Sequence, residues 1–316
     1  MQLPGLLVSI AIILLTMAGC ELLYRNVLTS TLPGLFRSLV LDFIGGGEAV
    51  VVSWELITVF HQYGQPLWAL LSFLAMVAKY YRYRPEVVAC PYTHLQAVLR
   101  GWARPLDALA RVIAQFAGAR VFFSWQTRVW DWSLARVHVG RTYWMSYGLC
   151  SAWLDVSNQL GFFVELGGSL VCGLAAILIF DWDLAPRVSI HKRILASTSV
   201  TLLVVLAAFH QTGGFFQPLL AFGRTFGCVG VLRPVSPLDH VLVYWVGASL
   251  GAVLSMYLAP PIKSLLLALP CLKYRAKTHV TATIEEGKGL LEEEEEEVVY
   301  PRRRTSITPT RTKMEN

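Results

Sequence analysis

Apolar residues run together along this chain in blocks close to the length of a membrane-crossing helix, about 20 residues. Polar clusters separate the blocks. The cleanest covers residues 3–24, and others run over roughly 33–60, 65–82, 106–126, 157–181, 192–211 and 240–260. Glycines and single acids interrupt several of them. The pattern predicts an all-α multi-pass membrane protein with seven spans, or six if the first is cleaved or lies flat on the bilayer. That first block lacks a basic region ahead of it, so it reads as a retained helix rather than a signal peptide.

Composition agrees. Charged residues make up 15% of the chain and hydrophobic ones 55%, against roughly a quarter charged in soluble domains. The net charge of +6 is read as membrane topology, not as nucleic-acid binding. Arg25 and Arg37 follow the first block. Lys79, Arg82, Arg84, Arg100 and Arg104 flank the stretch Cys90-Pro91-Tyr92. Arg187, Lys192 and Arg193 lie between the fifth and sixth blocks, and Lys263, Lys273, Arg275 and Lys277 follow the last. With basic loops on the cytosolic side, the N-terminus faces outward or into a lumen and the C-terminus faces the cytosol. Arg128, Arg136 and Arg141 then fall on the outer side, against the trend. Trp68, Trp125, Trp130, Trp132 and Trp182 lie near block ends, where tryptophan anchors to the membrane interface. The six cysteines have neither metal-like spacing nor a disulfide framework.

Two segments repeat one order of features. Asp42 precedes Gly45-Gly46-Gly47, and Glu165 precedes Gly167-Gly168. An acid in a span is expensive and turns into the bundle; small residues beside it let helices approach. Cys90-Pro91 follows Asp42 by 48 residues, and Gln217-Pro218 follows Glu165 by 52. Each proline stretch is followed by Pro-Leu-Asp and a further span, at 105–107 and 237–239. Three spans per half is an odd number, so the halves are inverted in the membrane. Inverted repeats place a site near the midplane, at broken helices whose N-termini point inward. Pro91 and Pro218 suit the first turn of such half-helices, where the missing N–H is not needed.

This order resembles the aquaporin family, in which two half-helices opening with Asn-Pro-Ala meet inside six spans. The resemblance covers roughly 33–260. It sets Cys90, Pro91, Tyr92 and Gln217, Pro218, Leu219 in the two motif positions. Asp42 and Glu165 stand for the buried acids that brace the motif loops, and Thr212-Gly213 for the Thr-Gly before the second motif. The likeness is greater to the superaquaporin subfamily, aquaporins eleven and twelve. Its members have degenerate first motifs, an extra apolar N-terminal segment, a "VYW" sequence in the last span and a cysteine after the second motif. Cys228, eleven residues after Gln217, fits that cysteine.

The departures concern conduction. Cys90 offers only a weak S–H donor where the family has an amide; Gln217 keeps an amide on a longer arm. Tyr92 replaces a small residue and is expected to narrow the midpoint or pack into a neighbour. In the selectivity-filter region, with Gly214, Leu220 stands where water-selective members place arginine. Arg224 lies one helical turn further on and is not expected to replace it. His94 and His210 flank the two motifs and read as satisfied core or interface histidines ahead of pH sensors. Glu48 and Glu55 add acids to the second block, either facing a pore or bonded to loops.

The tail, 263–316, is polar, with an acidic run and an arginine cluster that predict disorder. Inside it, Glu286, Leu290 and Leu291 have the form of an acidic dileucine sorting signal, and Thr305 and Ser306 that of a basophilic kinase site. The expected organisation is an N-terminal hydrophobic helix (1–28), a first half-repeat (29–150), a second (151–262) and the cytosolic tail. No catalytic constellation or phosphate loop occurs, so no enzyme, cofactor, metal or nucleic-acid partner is expected. The resemblance implies passive transport of water and small neutral solutes (glycerol, hydrogen peroxide) across a lipid bilayer. It also implies a homotetramer in an intracellular membrane, endoplasmic reticulum or endosomal, rather than the plasma membrane. The alternative is a non-conducting structural or regulatory membrane protein that keeps the fold; a transporter with alternating access ranks third.

Overall fold

The structure is a computed structural model that describes residues 3–82, 89–146, 153–181, 183–184, 188–226 and 235–268. The chain divides into two units, 1–263 and 264–316; of the second, only residues 264–268, which continue the last helix, are described.

All regular structure among the described residues is helical. α1 (Leu3–Thr29), α2 (Gly34–Tyr63), α3 (Gln65–Arg82), α5 (Pro105–Asp131), α7 (Asn158–Phe180) and α8 (Ile190–Thr212) are long. The last span is composite: α10 (Pro237–His240), a π-helical segment (Val241–Gly247) and α11 (Ala248–Ala268). Two short helices, α4 (Pro91–Leu99) and α9 (Pro218–Thr225), sit where the proline stretches predict half-helices. α6 (Arg136–Ser146) joins the halves and is not foreseen by the hydrophobic pattern. The architecture is the expected one: six core spans in two inverted halves, two re-entrant half-helices and an extra N-terminal helix.

Local chemistry sets the boundaries. Pro91, Pro105, Pro218 and Pro237 each open a helix at its first turn. Ser236 and Asp239 form a reciprocal capping box, and Asp107 pairs with Arg104 at the start of α5. The repeated Pro-Leu-Asp is thus a helix-start signal: proline in the first turn, acid near the positive end of the dipole. Gly64 (φ 81°) ends α2 and Gly213 (φ 80°) ends α8 in left-handed backbone, which glycine adopts without a Cβ clash.

Both halves close in the same way. A Cβ on Gly118 of α5 would strike the carbonyl of Phe43, the residue after Asp42. A Cβ on Gly251 of α11 would strike the carbonyl of Leu166, the residue after Glu165. The first and third spans of each half therefore cross backbone to backbone beside the acid, which is the service small residues perform between membrane helices.

Among the described residues, four helices are long and apolar enough to cross a membrane: Gly5–Thr29, Asn158–Phe180, Ile190–Thr212 and Pro237–Ala268. The acids of α2 turn inward: Asp42, Glu48 and Glu55 are all buried. Arg82 of α3 donates to both oxygens of Glu48 at 2.6 Å. Glu55 accepts from Gln126 (2.9 Å) and Trp130 (2.7 Å) of α5 and faces His138 of α6 at 3.3 Å. Both acids serve helix–helix contacts. α1 docks by the same means. Its Leu6 N–H donates to the Tyr63 hydroxyl at 2.9 Å, Ser9 lies 3.5 Å from the His138 ring, and Glu21 lies 3.7 Å from Arg82.

Two of the expected interfacial tryptophans are instead core residues. Trp130 is buried because Glu55 takes its indole N–H, and Trp68 because it packs edge-on and tilted among Phe60 and Phe209. Trp125 and Trp132 are exposed at the end of α5; Trp182 lies outside the described residues.

Candidate functional site

α4 and α9 are in contact. Each begins after a residue in extended backbone: Cys90 (φ −150°, ψ 115°) and Gln217 (φ −158°, ψ 139°). Neither side chain caps its helix. Pro91, Pro218 and Leu219 are buried, whereas Cys90, Tyr92, Gln217 and Leu220 are half-buried. Each half-helix is tied to a span of the opposite half. Gln96 of α4 donates to the Ala252 carbonyl of α11 at 2.6 Å, and Trp54 of α2 donates to the Gly223 carbonyl of α9 at 2.9 Å.

The loop ahead of α9 is braced by Glu165. One carboxylate oxygen accepts from the Thr212 hydroxyl (2.6 Å) and the Phe215 N–H (3.3 Å), and the other from the Phe216 N–H (2.6 Å). Ser169, one turn further along α7, donates to the Phe216 carbonyl at 3.0 Å, and the Tyr244 hydroxyl donates to the Thr212 carbonyl at 3.0 Å. These bonds hold Phe216 in left-handed backbone (φ 49°), a conformation that costs a non-glycine residue on the order of 1 kcal/mol or more. Gly168 makes room for its ring, since a Cβ there would overlap it. Gly214 (φ 59°) faces the backbone of Val205, where a Cβ would come within 2.8 Å of the carbonyl oxygen. A larger residue has no place there.

The first half is braced differently. Asp42 pairs with Arg111 of α5 and accepts from Gln115 at 3.1 Å. Gln115 lies 2.9 Å from the ring of His94 on α4, and that ring lies 3.4 Å from Asp42. The acid thus reaches its half-helix through side chains. Arg111, Gln115 and His94 escape the linear pattern as a unit, although Arg111 and Gln115, four apart, share one face of α5.

Tyr92 lies in the first turn of α4, half-buried. Arg224 is buried against the rings of Phe215 (5.0 Å), Trp153 (5.6 Å) and Trp54 (5.9 Å), while Leu220 is half-buried on the turn before it. His210 is exposed at the end of α8. Cys228, the dileucine positions Glu286, Leu290 and Leu291, and Thr305 and Ser306 lie outside the described residues. Among the described residues no group of His, Cys, Asp and Glu could hold a metal ion.

The fold matches that of the aquaglyceroporin from Plasmodium falciparum. The TM-score is 0.55 at 14% identity, over 74% of this chain and 99% of the other. No family profile matches the chain. Among curated proteins it is similar to Aquaporin-11 of Milnesium tardigradum, with 24% identity over 83% of this chain and 90% of that one. It is also similar to Aquaporin-12 of Mus musculus, with 25% identity over 79% and 84%. Two re-entrant half-helices inside an inverted pair of three-span repeats give the chain an aquaporin-like fold, and the curated relatives it resembles are aquaporins. Within that family its likeness is to the superaquaporins.

Proposed function

We propose that the chain is an aquaporin-like channel for passive flow of water and small neutral solutes such as glycerol and hydrogen peroxide. The observation that carries the reading is the contact of α4 and α9, each started by a proline and each leaving its N-cap residue half-buried. In this reading the two helix N-termini point at one level and concentrate positive potential there. Such a field disfavours cations and leaves neutral molecules free to pass. At that level Gln217 supplies amide donors and Cys90 a thiol. The proposed organisation is the N-terminal helix 1–28, half-repeats 29–150 and 151–262, and the tail 263–316. Residence in an intracellular membrane and assembly as a homotetramer belong to the same reading and rest on family likeness.

One observation favours a second reading, a non-conducting protein that keeps the fold: Tyr92, a bulky ring where the resemblance expects a small residue, is half-buried in the first turn of α4. Osmotic shrinkage of proteoliposomes, followed by light scattering, separates the two. Fast shrinkage with the unmodified chain supports a channel. Baseline flux that Tyr92→Ala restores supports a fold plugged at its centre. Baseline flux in both, for water, glycerol and peroxide alike, rejects the channel.

A further inference from the structure

Three arginines of the long helices are answered inside the bundle. Arg82 of α3 donates to both oxygens of Glu48, and Arg111 of α5 pairs with Asp42. Arg193 of α8 donates to the carbonyls of Ile179, Asp181 and Val188. Arg120 of α5 is the contrast. It is exposed, and it donates to the Ser124 hydroxyl, one turn further along its own helix, at 2.9 Å. Arg128 is exposed a turn beyond that. Among the described residues neither Arg120 nor Arg128 pairs with a carboxylate.

The depth of Arg120 makes this costly. α5 runs from Pro105 to Asp131. The Arg104–Asp107 ion pair marks one end, and the exposed Trp125 and Trp132 mark the other, as tryptophan does at a membrane interface. From Pro105 to Trp125 the helix rises about 30 Å, the thickness of the hydrocarbon core. Arg120 then lies about 8 Å inward of Trp125. Leu106, Leu109, Ile113 and Ala117 lead up to it at steps of three and four residues, all exposed on the same face. A charge on such a face is rare and needs a partner or a route to the interface. The helix dipole favours a cation in the last turn, which accounts for Arg128. Arg120 is about three turns from that end, where the dipole gives it nothing.

The bond to Ser124 shows the route. Helical side chains lean toward the N-terminus, which for Arg120 is deeper into the hydrocarbon. Its guanidinium instead reaches the other way, toward the end where Ser124 and Arg128 follow at four-residue steps. Long basic stems lie along apolar surface in this manner while the head meets the interface.

We propose that Arg120, Ser124 and Arg128 bind the phosphate headgroup of an anionic phospholipid at the Trp125 end of α5, with an acyl chain along Ala117 and Ile113. Guanidinium and phosphate oxygens match in a two-pronged geometry. Two guanidiniums without an acid favour a headgroup of net negative charge over a zwitterionic one. A second protein chain would have to bring an acid to the same depth, whereas the apolar run below Arg120 suits acyl chains. The site lies on the outer face of α5, so it stands whether or not the channel conducts.

Native mass spectrometry of the full chain, incubated in detergent with phosphatidylglycerol or with phosphatidylcholine of the same acyl chains, tests this. The wild type is expected to retain phosphatidylglycerol severalfold better. Arg120→Gln with Arg128→Gln should abolish that preference, and Lys192→Gln, at an exposed cation of α8, should keep it. An undiminished preference in the double variant overturns the proposal. Equal loss in Lys192→Gln overturns it too, because the attraction is then to net charge. So does a changed number of copies per particle in the double variant with lipid retention intact, which makes the face a protein contact. Thermal melts in detergent give a second reading: phosphatidylglycerol should raise the melting temperature of the wild type more than that of the double variant. The same rise with inorganic phosphate alone overturns the lipid assignment. Arg128→Gln alone, at an exposed helix end, carries both comparisons if the double variant does not fold.

Discussion

The two half-repeats solve one problem by different means. In the second, Glu165 bonds directly to the loop ahead of α9, through two backbone N–H groups and the Thr212 hydroxyl. In the first, Asp42 among the described residues meets side chains only: Arg111, Gln115 and His94. Glutamate is one methylene longer and reaches backbone; among the described residues aspartate works through a relay. The direct brace holds a fixed backbone shape, including the left-handed Phe216. The relay ties α2, α5 and α4 together and leaves their side chains interchangeable in principle. Duplicated halves can keep a common crossing, Gly118 on Phe43 and Gly251 on Leu166, while the polar support beside it is rebuilt.

The largest expected break in that comparison comes from Glu165→Leu. It strands two buried N–H groups and a hydroxyl, each worth about 1–3 kcal/mol, and should prevent a folded product or lower its melting temperature more than any other variant here. Glu165→Gln keeps an acceptor and should be milder. Asp42→Ala should follow in size at about 3 kcal/mol, since it leaves Arg111 without its carboxylate. A simultaneous Arg111→Met should recover part of that loss, which a thermal melt in detergent would register. No matching second-site rescue is expected for Glu165→Leu, because its partners are main-chain atoms; finding one would erase the distinction between the halves. Gly118→Val and Gly251→Val test what the halves share. Each should lose about 1–3 kcal/mol through overpacking, and strongly unequal losses would show that the crossings are not equivalent.

Smaller still is an effect at the loop after α7. Burial alone would raise the Asp181 carboxyl, but hydrogen bonds from Lys263 and from the Asp183 backbone outweigh it and hold the group below the ordinary aspartate value. A depressed carboxyl stabilises the fold above that ordinary value and loses the contribution as pH falls through the depressed one. Melting temperature between about pH 5 and about pH 3 should therefore fall more steeply in the wild type than in Asp181→Asn.

The half-helices were legible because proline in a first turn, after an apolar span, carries a local steric meaning. Asp42 and Glu165 were legible because a lone acid among apolar residues demands partners. The partners themselves were not. Arg111 reads in sequence as one more basic residue of the third core span, and only the crossing of α2 and α5 brings it to Asp42. Trp68 and Trp130 sit at block ends, where tryptophan suits an interface; Phe209 and Glu55, far along the chain, draw them inside. Arg224 counts as an arginine in the wrong place until folding surrounds it with Trp54, Trp153 and Phe215. α6 has no apolar stripe to reveal it, and its His138 is defined by a pairing with α2. Long-range polar contacts leave no period in a sequence.

The docking of α1 sets a schedule for biosynthesis. Ser9 and its partner His138 are 129 residues apart. At a translation rate of about 5–20 residues per second, the ribosome needs roughly 6–26 s to make the second after the first. During that interval α1 is already apolar enough to enter the bilayer. It waits there with Ser9 unanswered, while Tyr63 and then Arg82 arrive to hold its two ends. α1 is thus made before its partners and locked only after them, and the order in which its bonds close is written in the spacing of those partners along the messenger.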